Sequence, residues 1–95
     1  MRKYETMYII RPDLEEEART QLVERFSTLV KDQGGELAEV KEWGIRKMAY
    51  PIQDFKEGYY VLVYFSAQPE VVAELERVFK ITDPVIRYMT IRQGE

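Results

Sequence analysis

The order in which hydrophobic periodicities follow one another constrains this chain most. Alternating apolar and β-branched residues predict strands, and apolar residues three or four positions apart predict amphipathic helices. The strand pattern occurs in residues 2–10, 36–49, 59–67 and 85–92. The helical pattern occurs in residues 14–33 and in a segment that starts at Pro69 and stops at Asp83-Pro84. The predicted order of elements is therefore β-α-β-β-α-β.

This order predicts one fold class. Because crossover connections are right-handed, both helices are expected on one face of a four-stranded antiparallel sheet. The result is a ferredoxin-like α+β sandwich, the split β-α-β arrangement. The most β-prone run, residues 59–67, has apolar residues on both faces and is expected to form a central strand. The length of 95 residues fits a single domain, residues 1–95.

Local signals predict where several elements begin and end. Asp13 is a good N-cap, and Glu16 three residues later completes a capping box, so the first helix is expected to start at residue 14. Gly44 lies inside a strand pattern and predicts a bulge there. The connection between the second and third strands is expected over residues 50–57. Its predicted turn residues are Pro51, Asp54 and Gly58.

The residue types that are missing exclude most enzyme chemistry. The chain has no histidine, no cysteine and no asparagine, so the usual general bases, nucleophiles and soft metal ligands are missing. Capping and the helix dipole explain the acidic run from Glu15 to Glu17. We therefore expect no enzyme activity, catalytic site, metal site, cofactor or small-molecule substrate. No apolar run reaches membrane length and the N-terminus is not a signal peptide, which predicts a cytoplasmic protein without a membrane partner.

Charge is unevenly distributed along the chain. The net charge is −3, which at first argues against a nucleic-acid partner. However, residues 13–33 hold six acidic residues against three basic ones, and residues 69–83 hold four against two. These two segments carry −5 together, so the rest of the chain carries +2. The acidic charge is therefore expected on the helices, and the basic charge on the strands and turns.

One face of the sheet is predicted to lack helices. We assign Val61, Val63 and Phe65 to the helix side, because small branched residues and one ring pack well against helices. The other side is expected to form an apolar patch that binds a partner protein. This predicted partner-protein face comprises Met7, Ile9, Tyr60, Leu62, Met89 and Ile91. The alternatives are that the two faces are reversed, or that these residues are scattered.

The segment Trp43–Gln53, W-G-I-R-K-M-A-Y-P-I-Q, has two interpretations. By residue type it is an amphipathic edge strand that Arg46 and Lys47 keep soluble. It also resembles the signature of the bacterial small-subunit ribosomal protein S-six family, Gly-x-basic-polar-Leu-Ala-Tyr-x-Ile, with Met48 in place of the usual Leu. The opening M-R-K-Y-E and the later R-P-D-L and I-R-Y-M-T-I-R are similar to that family as well.

The resemblance implies a structural role in translation, within the small subunit of the cytoplasmic ribosome. It implies that the chain binds the central domain of small-subunit ribosomal RNA together with ribosomal protein S-eighteen, each depending on the other for RNA affinity. A basic partner would supply the counterion release that this acidic chain lacks. The residues alone leave open an alternative, a ferredoxin-like protein-interaction or oligomerisation module that uses the helix-free sheet face.

Residue type and predicted face select the candidates for RNA contact. Basic residues would bind phosphates, which positions a protein without reading the base sequence. Tyrosines would stack on bases or hydrogen-bond to the RNA backbone. The basic candidates are Arg2, Lys3, Arg46, Lys47, Arg87 and Arg92, and the tyrosines are Tyr4, Tyr50 and Tyr64.

Overall fold

Four strands and two helices follow one another in the predicted order. The computed structural model describes residues 1–93, so the last two residues of the predicted domain lie outside the described part. The elements are β1 (Arg2–Ile10), α1 (Glu16–Asp32), β2 (Glu36–Ile52), β3 (Phe55–Ala67), α2 (Pro69–Lys80) and β4 (Val85–Arg92). The strands pair antiparallel in the order β2-β3-β1-β4. The predicted ferredoxin-like fold and the central position of β3 are confirmed.

Both helices pack on one face of the sheet. This helix-side core contains, as predicted, Val61, Val63 and Phe65. Tyr8 of β1 lies between the helices, with its ring centroid 5.1 Å from that of Phe26 in α1 and 5.0 Å from that of Phe79 in α2. Full burial of a large apolar side chain contributes about 1.5–3 kcal/mol. The aromatic cluster therefore holds both helices on the sheet.

Helix α1 begins later than the sequence predicts. Its N-cap is Glu15, which has extended backbone angles and makes no side-chain cap bond. The predicted cap, Asp13, instead accepts two hydrogen bonds from the Arg11 guanidinium, at 3.1 and 3.2 Å. This hydrogen bonding lowers the pKa of Asp13. The predicted start at residue 14 and its capping box are wrong, because a neighbouring arginine binds the carboxylate before the helix begins.

The hairpin between β2 and β3 is longer than predicted, and its turn is tighter. β2 runs through Pro51 up to the turn, and β3 starts directly after it. Gln53 and Asp54 form the turn with φ of 52° and 70°, the two left-handed residues of a type I′ turn. The predicted connection over residues 50–57 is wrong. Pro51 has no partner in the described ladder, so its missing N–H does not break the strand.

β2 is an irregular edge strand. Its register against β3 shifts between Leu37 and Glu39, and again between Glu42 and Gly44. Gly44 has a φ of 85°, in the left-handed region that favours glycine. The predicted bulge at Gly44 is confirmed. Such bulges twist an edge strand and disfavour its pairing with another chain.

The turn end of the hairpin folds over the face that the helices leave open. Gly58, predicted as a turn residue, lies within β3 opposite Arg46. A Cβ at Gly58 would lie 2.2 Å from Cγ2 of Ile9, so Ile9 occupies the space that a side chain would need. Ile9 packs with Met48 of β2 and Ile86 of β4, and all three are at most 8% exposed. The hairpin therefore covers part of the helix-free face.

Candidate nucleic-acid and partner interface

The helix-free face carries exposed apolar side chains. Trp43 of β2 and Met89 and Ile91 of β4 are 48%, 48% and 50% exposed. We call these three residues the apolar strip. They line a groove of about 170 Å³ together with Glu5, Met7 and Leu62. Exposed apolar side chains that share one groove are typical of an interaction surface.

The six residues of the predicted partner-protein face differ in accessibility. The accessible ones are Met7, Tyr60, Met89 and Ile91. Ile9 and Leu62 are 2% and 5% exposed, so they form the floor of this face and are corrected from contact residues to supporting ones. Trp43 was missed. It adjoins the bulge at Gly44, where alternation no longer tells which face a side chain takes.

The fold brings together two of the predicted RNA-contact residues, Tyr50 and Arg87, which are 37 positions apart in the sequence. Arg87 donates a hydrogen bond from Nη1 to the Tyr50 hydroxyl oxygen at 2.6 Å. The guanidinium carbon lies 5.9 Å from the centroid of the Tyr50 ring. Both side chains are exposed and border a cavity of about 190 Å³. The pair forms because the hairpin carries Tyr50 across the face to β4.

The six predicted basic contacts are all exposed and fall into two groups. The hairpin group, near the β2–β3 turn, consists of Arg46, Lys47 and Arg87. The terminal group, at the beginning of β1 and the end of β4, consists of Arg2, Lys3 and Arg92. A strand rises about 3.4 Å per residue, which sets residues of the two groups roughly 17–34 Å apart along the strands. A single RNA must span that distance to reach both.

Comparisons with known proteins decide the family. The sequence profile described as Ribosomal protein S6 matches residues 3–92. The small ribosomal subunit protein bS6 of Caldanaerobacter subterraneus is 58% identical over 95 residues, which is 100% of both chains. That of Moorella thermoacetica is 54% identical over 95 residues, 100% of this chain and 97% of its own. The chain belongs to the ribosomal protein S6 family.

Solved structures agree with membership of the S6 family. The crystal structure of 30S ribosomal protein S6 from Thermotoga maritima has a TM-score of 0.93 at 39% identity, covering 97% of this chain and 87% of that one. The de novo designed protein Foldit4 shares the fold alone, with a TM-score of 0.55 at 15% identity. S6 proteins are non-enzymatic components of the small subunit of the cytoplasmic ribosome. The predicted role in translation, the location and the lack of enzyme activity are confirmed by this membership.

Two predicted RNA-contact tyrosines of this S6 chain lie on opposite faces. Tyr4 is 8% exposed and packs in the helix-side core, with its ring centroid 5.7 Å from that of Phe65. Its predicted role in base stacking is wrong, because even-numbered side chains of β1 point towards the helices. Tyr64 is half-buried on the helix-free face. There, Nζ of Lys41 lies 5.5 Å from the Tyr64 ring centroid, which adds an exposed cation that the sequence interpretation missed.

Charge is separated across the sheet of this S6 chain. Strand register places four cations and three acids on the helix-free face: Lys3, Lys41, Arg46, Arg87, Glu5, Glu36 and Glu39. The two helices carry seven acidic residues against five basic ones. They are less acidic than predicted, because Asp13, Glu15 and Asp83 lie in the flanking turns. The prediction of basic strands is confirmed, since the strands carry eight basic residues against five acidic ones. The prediction of basic turns is wrong, since the described turns carry Arg11 against four acidic residues.

The most perturbed ionisable group of the S6 chain lies away from this face. Burial, followed by the charge of Glu42 and by Tyr59, raises the pKa of Tyr8 in the helix-side core. Burial also raises the pKa of Tyr59, whose hydroxyl donates to Glu42 Oε1 at 2.6 Å. Within residues 1–93, no group of three or more His, Cys, Asp or Glu side chains could hold a metal ion. Neither described helix has the length and hydropathy to cross a membrane.

Proposed function

We propose that this chain binds the central domain of small-subunit ribosomal RNA together with ribosomal protein S-eighteen, using the helix-free face. The observation that carries the proposal is the composition of that face, where the exposed apolar strip adjoins exposed cations. An apolar centre with a charged border suits contact with a protein. Exposed arginines and lysines suit contact with RNA phosphates. The face therefore has the means to bind both partners at once.

The apolar strip supports a protein partner. Aromatic side chains that a partner buries dominate the energetics of many protein interfaces, and the exposed Trp43 offers such a side chain to a partner. Its groove also contains Glu5, and Glu39 lies on the same face opposite Tyr64. These carboxylates would attract a basic protein. A small basic partner docked here would bury the strip and add the cations that this chain lacks.

The hairpin and terminal groups support contact with phosphates. Each phosphate contact releases condensed counterions, and the affinity gained in this way grows with the number of cations engaged. Of the six exposed candidates, Lys3, Arg46 and Arg87 share the helix-free face by strand register, whereas Arg2, Lys47 and Arg92 alternate to the other side. With a net charge of −3 as well, the chain's own electrostatic attraction to RNA is small. We therefore expect tight RNA binding only when S-eighteen is bound.

Self-association through the helix-free face is a second candidate. The exposure of Trp43, Met89 and Ile91 favours it, because a second copy of the chain could bury the same three side chains. Like charges would then oppose one another, since both copies would present Lys41, Arg46 and Arg87 to the contact. That repulsion makes self-association the weaker candidate.

Titration of labelled central-domain RNA tests the proposal. The RNA is titrated with this chain alone, with S-eighteen alone and with an equimolar mixture. We expect the mixture to bind at least about tenfold more tightly than either protein alone, a coupling of about 1.4 kcal/mol. Sedimentation of the chain alone serves as the control and should show a monomer.

Two results would contradict the proposal. Tight RNA binding by this chain alone, equal to that of the mixture, would disprove the dependence on a partner. A stable dimer that binds neither RNA nor S-eighteen would favour self-association.

A further inference from the structure

The cavity beside Tyr50 and Arg87 has an apolar interior and a polar border. Ile9 and Met48, both buried, and the half-buried Met7 provide apolar walls. Tyr60 lines the same cavity and adds a second phenol. The volume of about 190 Å³ has room for one flat ring system but not for a helix or a strand. The cavity is therefore suited to a single inserted group.

The charge of this cavity differs from that of its neighbours. Its lining residues include Arg87 and no acid. The groove beside the apolar strip contains Glu5 and no cation. A third cavity, next to the hairpin turn, balances two lysines against Asp54 and Glu57. Of these three cavities, the one beside Arg87 best suits a group that carries an anion.

We propose that this cavity receives one unpaired nucleotide of the ribosomal RNA, with the base inside and its phosphate at Arg87. The proposal rests on the RNA binding proposed above. Tyrosine rings and apolar side chains accept the flat face of a base. The hydroxyls of Tyr50 and Tyr60 can donate to or accept from the base edges. One N–H group of Arg87 donates to the Tyr50 hydroxyl, and its other N–H groups can donate to a phosphate.

This assignment divides the helix-free face between two partners. Met7 and Tyr60, predicted to contact a protein, would contact RNA instead. The apolar strip would remain for the protein partner. A base that is stacked inside a duplex cannot enter this cavity, so the nucleotide must come from a loop, bulge or junction where it can leave the stack. The cavity would thus select RNA by local structure.

Filling the cavity tests the proposal. Ile52→Phe adds bulk at a half-buried lining position on the cavity face and removes no charge. With S-eighteen present, its affinity for central-domain RNA should fall about tenfold, the order of magnitude of one lost base-stacking contact. Ile45→Phe makes the same change at an exposed β2 position away from the cavity and should bind like the unaltered chain.

A second pair of variants tests the phosphate contact. Arg87→Gln should weaken binding as much as Ile52→Phe does. Lys41→Gln removes a cation from the same face but not from the cavity, and should weaken binding less. Ultraviolet irradiation of the complex should crosslink a nucleotide to Tyr50 or Tyr60, as detected by mass spectrometry. The crosslink should be lost in Ile52→Phe.

The possible results distinguish failure of the nucleotide site from failure of the proposed RNA-binding function. Normal RNA binding by Ile52→Phe and Arg87→Gln, with no crosslink at either tyrosine, would overturn the nucleotide site and leave the proposed function intact. Weaker binding of S-eighteen by Ile52→Phe, measured without RNA, would assign the cavity to the protein partner and would also overturn it. If the unaltered pair of proteins does not bind the RNA, the site and the proposed function are both overturned.

Discussion

Replacing Phe79 by alanine is expected to lower the free energy of unfolding by about 3–5 kcal/mol. Phe79 is 1% exposed, and its ring centroid lies 4.7 Å from that of Phe26, 5.0 Å from Tyr8 and 5.3 Å from Tyr88. Removing the ring leaves a cavity where α2 meets α1 and the sheet. A small domain has about 5–15 kcal/mol of stability in total. Urea denaturation followed by circular dichroism measures the loss.

Ile81→Ala is the matched control for Phe79→Ala. Ile81 lies two positions after Phe79, at the C-terminal cap of α2, and its side chain is 64% exposed. Its replacement should change the free energy of unfolding by no more than about 0.5 kcal/mol. Similar losses for the two variants would show that Phe79 does not occupy the centre of the core.

Gly58→Ala is expected to destabilise the protein by about 1–3 kcal/mol, near the upper end of that range. The added Cβ would lie 2.2 Å from Cγ2 of Ile9, closer than packed atoms can approach. Ile9 is 2% exposed and β-branched, so it cannot turn aside without disturbing Met48 and Ile86. We also expect faster amide hydrogen exchange in the hairpin end, because the clash lifts it from the helix-free face.

A double-mutant cycle with Ile9→Ala isolates this contact. Ile9→Ala removes Cγ2, so Gly58→Ala should cost at least about 1 kcal/mol less in that background. Gly34→Ala is the control. Gly34 has a φ of 90° and free space around it, so its cost of about 1–2 kcal/mol comes from the backbone and should not depend on Ile9. Additive effects of Gly58→Ala and Ile9→Ala would contradict the close approach.

Features that depend on local periodicity could be predicted from the sequence, and features that depend on tertiary contacts could not. Alternation grouped Val61 and Val63 on one face, because side chains of a strand change face at every residue, and their small branched shape assigned that face to the helices. The start of α1 was missed because Asp13 binds Arg11 instead of a helix N–H. The hairpin length was missed because Pro51 breaks a strand only where a neighbour needs its N–H.

The geometry of the candidate site also depends on tertiary contacts, so it could not be predicted from the sequence. Tyr50 and Arg87 were each selected by residue type, but their hydrogen bond and the cavity beside them require the hairpin to fold across the sheet. The prediction that Tyr4 contacts RNA failed for a different reason. It shares the alternation of Tyr8, which points into the helix-side core, and this pattern was a better guide than its residue type.

Charge reversal on each side of the sheet tests most directly whether the helix-free face binds RNA. One variant combines Arg46→Glu with Arg87→Glu on that face, and its control combines Arg25→Glu with Lys31→Glu on α1. All four side chains are exposed, so both variants should fold, and both change the net charge equally.

The measurement is RNA affinity against salt concentration, with S-eighteen present. We expect the first variant to bind more weakly and to reduce the slope of log affinity against log salt by about 2, whereas the control keeps the original slope. Equal salt slopes for the two variants would contradict the assignment of RNA binding to the helix-free face.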